Sequence, residues 1–190
     1  MSRASQFSAV NLYKDVVVDA ESWNGIPTPD VIDITCKAIE KRGTKVIPVA
    51  DGNEALAVIE KLIPPGSEVM SGSSTILIEI GLEYYIAGGY SGWNLLHAKI
   101  NAEDDSVKRA EIRRKSVTAD YFISSANAIA QSGEIVACDA GGSRVGAWPY
   151  AAGHLILVVG INKIVPTLED ALSRVREYVF PLENVRAMKA

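Results

Sequence analysis

Cysteine is almost absent from this chain: its 190 residues include two, Cys36 and Cys138. That excludes a CxxC-type metal spacing and a disulfide framework, and it fits small core thiols in a reducing compartment. Histidine is as scarce, with His97 and His154 too scattered to suggest a metal site. No apolar run reaches the roughly 18–20 residues of a membrane helix. The opening MSRASQFSAV lacks the apolar core of a secretory signal, so a cytoplasmic protein with no membrane partner is expected. Positive charge is not in excess either. The net charge of −4 gives a whole-chain field that does not favour nucleic acid. The GxGxxG fingerprint and the P-loop lysine are missing, and no Ser/His/Asp arrangement is supported. No metal and no cofactor is expected.

What is present is an ordinary globular composition, 48% apolar and 22% charged. The length fits one domain over residues 1–190, with residues 1–25 as a loose N-terminal arm. Helical spacing runs from Thr28-Pro29-Asp30 to Lys41, stopping at Gly43. Lys45 to Val49 reads as a short strand, Glu54 to Ile63 as a helix capped by Asn53, and Glu68 to Met70 as a strand. A helix follows from Ile76 to Leu82. Residues 84–101, broken by Gly88-Gly89 and Gly92, suit a lid or a partner surface. Then come a charged helix (Asp104 to Lys115), a strand (Tyr121 to Ser124) and a hairpin around Ser132-Gly133. A short helix (Ser143 to Trp148), a strand (Leu155 to Val159) and a helix (Leu168 to Val179) complete the pattern. The last helix would bury Leu168, Ala171, Leu172, Val175 and Val179. Alternating strands and helices predict an α/β protein, a three-layer α/β/α sandwich around a mostly parallel sheet.

Ligand sites in such sheets lie at strand ends. Polar residues gather at those ends here: Ser124, Ser125, Asn127, Glu134, Gly141 to Arg144, Asn162 and Lys163. Gly72-Ser73-Ser74-Thr75 follows a strand and opens a helix, so its N–H groups and hydroxyls suit a phosphate or carboxylate. Glu79 lies one turn beyond Thr75, placed to act as acid or base or to fix the loop. Asn127 has an amide that donates and accepts, so it would orient a ligand or cap a turn. Gly142-Ser143-Arg144 is a second glycine-rich helix entry. Its arginine would fork onto an anion or pair with Asp139 or Glu134. Lys163 would add positive charge at a strand end, or be a solvated loop lysine. Glu134 is the other candidate acid or base.

SGSST…LIEIGL, ADYFISSANAI…GEIV, GGSRV, VVGINKIV and RVREYVFPLENVR, in that order, resemble the LUD domain family of lactate-utilization proteins across roughly residues 30–187. The resemblance implies the NagB/RpiA/CoA-transferase-like fold. It also implies a component that supports oxidation of L-lactate to pyruvate beside iron–sulfur oxidoreductase partners. This chain has no cysteine set to hold a cluster itself. SANAIAQSGEIV is similar to a segment of sugar-phosphate isomerases whose aspartate is catalytic, and Asn127 takes that place here. Thr75 comes one position early relative to the family pattern, and Ser143 stands where an asparagine is usual.

Three functional classes follow. The first is the lactate-utilization component, binding a small anionic ligand through Gly72 to Thr75, Asn127 and Gly142 to Arg144. The second is a free-standing sugar-phosphate or acyl-CoA enzyme, and a nucleophilic Glu134 would support its CoA-transferase form. The third is a non-catalytic sensor or assembly module using residues 84–101, with Trp93 and Leu95 in the contact. A homo-oligomer is compatible with each.

Overall fold

A computed structural model describes residues 16–189. In chain order its elements are α1 (Ala20–Trp23), α2 (Pro29–Lys41), α3 (Gly52–Leu62), β1 (Glu68–Ser71), α4 (Thr75–Glu79) and α5 (Leu82–Ala87). Next come β2 (Asn94–Leu95), α6 (Leu96–Ala102), α7 (Ser106–Ser116), β3 (Tyr121–Ser124), β4 (Ala128–Ala130) and β5 (Ile135–Val136). The chain ends with α8 (Ser143–Gly146), β6 (His154–Leu157), β7 (Ile164–Val165), α9 (Leu168–Arg174) and α10 (Phe180–Lys189). Wide π turns, Ala147–Ala151 and Val175–Val179, follow α8 and α9, and a 3-10 turn, Ile161–Lys163, precedes β7. Contacts divide the described chain into two compact units. One holds Val49–Ser125 and Asp139–Val158; the other holds Ala126–Cys138 with the segments before Val49 and after Val158.

The first unit carries the parallel sheet, ordered β2-β1-β3-β6. Strand alternation sorts its side chains into two faces. Val69 and Ile123 pack on one face with Ala55, Ile59, Ile63, Leu77 and Leu82. Met70 and Phe122 point the other way, onto Leu96, Ile100, Ala119 and Ala147. Ala55 and Ile59, like Leu96 and Ile100, are four apart, so each pair presents one helical stripe to the sheet. Helices on both faces of a parallel sheet make the α/β/α layering that the sequence pattern predicts. The expectation that Trp93 serves a partner surface is corrected: it is buried in the first face, stacks edge-on with Tyr85 and donates Nε1–H to Ile63 O at 3.2 Å.

The second unit has a smaller sheet, β5-β4-β7, with β4–β5 the antiparallel hairpin and β4–β7 parallel. Ala128, Val165 and Ala171 form its core, with Trp23 and Val136 against them. Thr167 caps α9 by accepting from Asp170 N–H, while Asp170 Oδ2 accepts from Thr167 N–H, each at 3.1 Å. The Lys45–Val49 strand is absent: the segment is irregular, and Ile47 and Val49 are 41% and 38% exposed. Pro48 cannot donate to a ladder, and the alternating apolar residues find no face to cover. The cap of α3 is Asp51, which accepts from Asn53 and Glu54 N–H at 2.9 and 3.0 Å, rather than Asn53. Of the expected N-terminal arm, residues 1–15 lie outside the described residues, and the remainder includes α1.

Candidate functional site

β1 and β3 run parallel, and Gly72 continues the ladder by donating its N–H to Ile123 O at 2.9 Å. Both strands therefore end together, at Ser71 and Ser124, and the chain turns from Ser71 through Gly72 and Ser73 into α4. Gly72 matters because of what lies beside it. A Cβ built there would sit 3.3 Å from Ser124 Oγ, 3.8 Å from Phe122 Cε1 and 3.9 Å from Arg144 Nε. Any side chain here would crowd the Ser124 hydroxyl, so the turn takes a glycine.

Arg144 reaches this turn from α8. Gly142, at φ 79°, adopts the left-handed conformation that starts the α8 turn. Asp139 organises the approach: Oδ2 accepts from Arg144 N–H at 2.6 Å and Oδ1 from Gly141 N–H at 3.3 Å. The acid that the sequence offered as a partner for the guanidinium thus bonds the backbone. Arg144 Nη2 donates to Ser73 O at 3.0 Å, which aims the cation at the strand ends. Gly72, Ser73 and Arg144 are therefore brought together, with Gly142 and Ser143 in the segment that delivers Arg144. Ser74 is the N-cap residue of α4 and Thr75 its first residue, while Glu79 closes the helix in an exposed position.

The remaining expected residues belong to the second unit. Asn127 is held on three sides: its N–H donates to Val136 O at 2.9 Å, its Oδ1 accepts from Cys138 N–H at 2.8 Å, and its carbonyl accepts from Arg174. Lys163 Nζ donates to Ala126 O at 2.9 Å rather than standing in solvent. Glu134 lies at the opposite end of β4 from Asn127, in the hairpin turn. There it pairs with Arg42 and accepts from Ser132 Oγ at 2.5 Å. The Ser132 hydroxyl bond is the main reason its carboxyl is held below the usual glutamate range, with backbone and Arg42 adding to it. The tail arginine, Arg186, forks onto Glu183.

Sequence reasoning missed two features of the first unit. Ser124 is fully buried, and its Oγ has no hydrogen-bond partner among the described residues. A cavity of about 270 Å³ also opens beside Ser71–Ser73, walled by Leu77, Leu82 and Ile86 and edged by His97 and Asn101. His97 and Asn101 are four apart on α6, a spacing that reads as one helix face once the helix is known. Among the described residues no three His, Cys, Asp or Glu are grouped to hold a metal ion. None of the described helices is long and apolar enough to cross a membrane.

Fold and turn together define an α/β protein whose parallel strands end at a glycine-lined turn faced by an arginine. The sequence model of the LUD domain matches residues 32–190, and the chain belongs to the LUD domain family. No curated protein and no solved structure matches it.

Proposed function

We propose that this chain binds a small carboxylate at the ends of β1 and β3. In that role it would serve the oxidation of L-lactate to pyruvate as a cytoplasmic component beside iron–sulfur oxidoreductase partners. Membership of the LUD domain family supports the pathway. The observation that carries the binding site is Arg144, whose guanidinium is fixed on Ser73 O at the strand ends. A planar guanidinium suits a carboxylate in two-pronged geometry, and the Gly72 backbone permits close approach. The other arrangement, an acyl enzyme on Glu134, is disfavoured by that residue's engagement with Ser132 and Arg42.

A thermal-shift panel tests the reading with L-lactate, pyruvate, sugar phosphates, nucleotides and coenzyme A esters. A ligand of the folded state raises the melting temperature by mass action. The expected result is a shift with the small carboxylates L-lactate and pyruvate that Arg144→Ala abolishes. A shift only with sugar phosphates or coenzyme A esters would move the reading to the free-standing enzymes. A flat panel with capture of a partner would favour the assembly role, for which the exposure of Tyr84 and Tyr90 speaks.

A further inference from the structure

We propose that the cavity beside Ser71–Ser73 is a second ligand site, for a small amine carried on an apolar body such as a ring. It stands apart from the anion site proposed above, because Arg144 is not among the residues that line it.

A short edge strand makes the space. β2 pairs with β1 only through Glu68 with Asn94 and Val69 with Leu95, and the chain turns into α6 at Leu96. Met70 and Ser71 continue β1 with no β2 residue beside them. The space left near that flank is about 270 Å³, bounded by residues of α4, α5 and α6. An apolar cavity of roughly 150 Å³ already holds a benzene ring. The inner wall is apolar, with Leu77 and Leu82 buried and Ile86 half-buried. An apolar wall with a few polar groups to fix orientation is the usual construction of a small-molecule site.

The rim supplies the polar groups and sets the sign of the charge. Glu83 of α5 and His97 and Asn101 of α6 line the cavity and are exposed. The Glu83 carboxylate makes no ion pair among the described residues. No lysine or arginine is among the described lining residues. A carboxylate or phosphate entering here meets a negative charge, whereas an ammonium finds a carboxylate free to pair with it. An ammonium has three N–H donors. The carboxylate, an imidazole nitrogen and the Asn101 amide oxygen are the acceptors the rim offers, while the apolar body lies against the leucines.

NMR titrations of the full chain with benzylamine, benzyl alcohol and benzoate at neutral pH test this. The three share a ring and carry a cationic, a neutral and an anionic head. Benzylamine is expected to bind most tightly and benzyl alcohol less tightly. Glu83→Gln should weaken benzylamine about two- to fivefold, the worth of an exposed ion pair, and leave benzyl alcohol unchanged. Ala98 is exposed on the cavity wall, so Ala98→Phe can fill the space without disturbing the core. It should abolish binding of both compounds at an unchanged melting temperature. Benzylamine binding that survives Ala98→Phe overturns the proposal, as does no binding at all. Benzoate binding as tight as benzylamine and lost in Ala98→Phe also overturns it. L-lactate binding that Arg144→Ala abolishes and Ala98→Phe spares would leave the anion site standing in each case.

Discussion

Lys163 and Arg174 bond to consecutive carbonyl oxygens: Lys163 Nζ to that of Ala126 at 2.9 Å and Arg174 Nη1 to that of Asn127. Arg174 is 2% exposed, and its Nε donates to Trp23 O at 3.0 Å. Its guanidinium carbon lies 5.0 Å from the centre of the Tyr178 ring. The partners of this buried cation are carbonyl oxygens and an aromatic face, and burial lowers its pKa. Arg174→Ala removes the bonds to the Trp23 and Asn127 carbonyls and to Asn24 Oδ1, and the packing, at once. It should cost about 2–4 kcal/mol in urea unfolding. An unchanged midpoint would show that the carbonyls are satisfied without it.

The two hairpin and helix-entry glycines give opposite predictions. Gly133 has φ 93°, and a Cβ there would meet the Ala38 carbonyl carbon at 2.7 Å. Gly133→Ala is therefore strained by conformation and by backbone contact, and should destabilise by about 2 kcal/mol or more. Gly141 has neither burden, with nothing within 4 Å. Gly141→Ala should stay within about 0.5 kcal/mol of wild type. Comparable losses in both, read from thermal unfolding, would contradict the geometry.

Gly72→Ala should separate binding from stability. Its new methyl would enter the position between Ser124 and Arg144 at a tight 3.3 Å from the hydroxyl oxygen, without any positive-φ strain. The expected outcome is loss of L-lactate binding by calorimetry with a melting temperature close to wild type. Retained binding would mean that the ligand does not approach the Gly72 backbone.

Acid stability should register Glu134. Its carboxyl is held below the usual range, chiefly by Ser132. A depressed carboxyl stabilises the fold at neutral pH. That contribution declines as pH falls through the ordinary glutamate range and vanishes below the folded-state value. Glu134→Gln should lower the melting temperature at neutral pH and converge with wild type in acid. Parallel curves across the whole range would exclude this linkage.

The two thiols should differ in reactivity. Burial raises the Cys36 pKa, with Asp33 and Glu40 adding to the effect, so its thiolate is scarce at neutral pH. Cys138 is exposed. Timed alkylation followed by mass spectrometry should label Cys138 first, and a faster Cys36 would contradict the burial seen here.

Much of this architecture is legible in the chain because local chemistry and global packing agree. The strands Glu68–Ser71 and Tyr121–Ser124, the Ser132-Gly133 hairpin and the glycine-led entries to α4 and α8 follow from pattern and turn residues. The two-residue strands Asn94–Leu95 and Ile164–Val165 are too short for periodicity to register. Ser124 reads as one more polar residue at a strand end, since only the folded sheet shows which hydroxyls lack partners. Arg174 is harder still. Its acceptors, Trp23 and Asn127, are distant in sequence, so nothing local announces a buried charge. The expected apolar face of the last helix also shifts. Ala171, Arg174, Tyr178 and Leu182 are buried, while Leu168 and Leu172 are about two-fifths exposed.

Past Arg174 the helix opens into the wide turn at Val175–Val179. In an ordinary helix, residues four apart drift by about 40° at each step, so Arg174, Tyr178 and Leu182 would spread over about 80° of one face. A turn closed by i→i+5 bonds draws them back toward one line, and Pro181, which has no N–H to give, sits just beyond it. Removing one residue from 175–179 would restore the tighter pitch and rotate everything after it by about 100° about the helix axis. The length of this segment therefore sets which face of α10 carries Leu182.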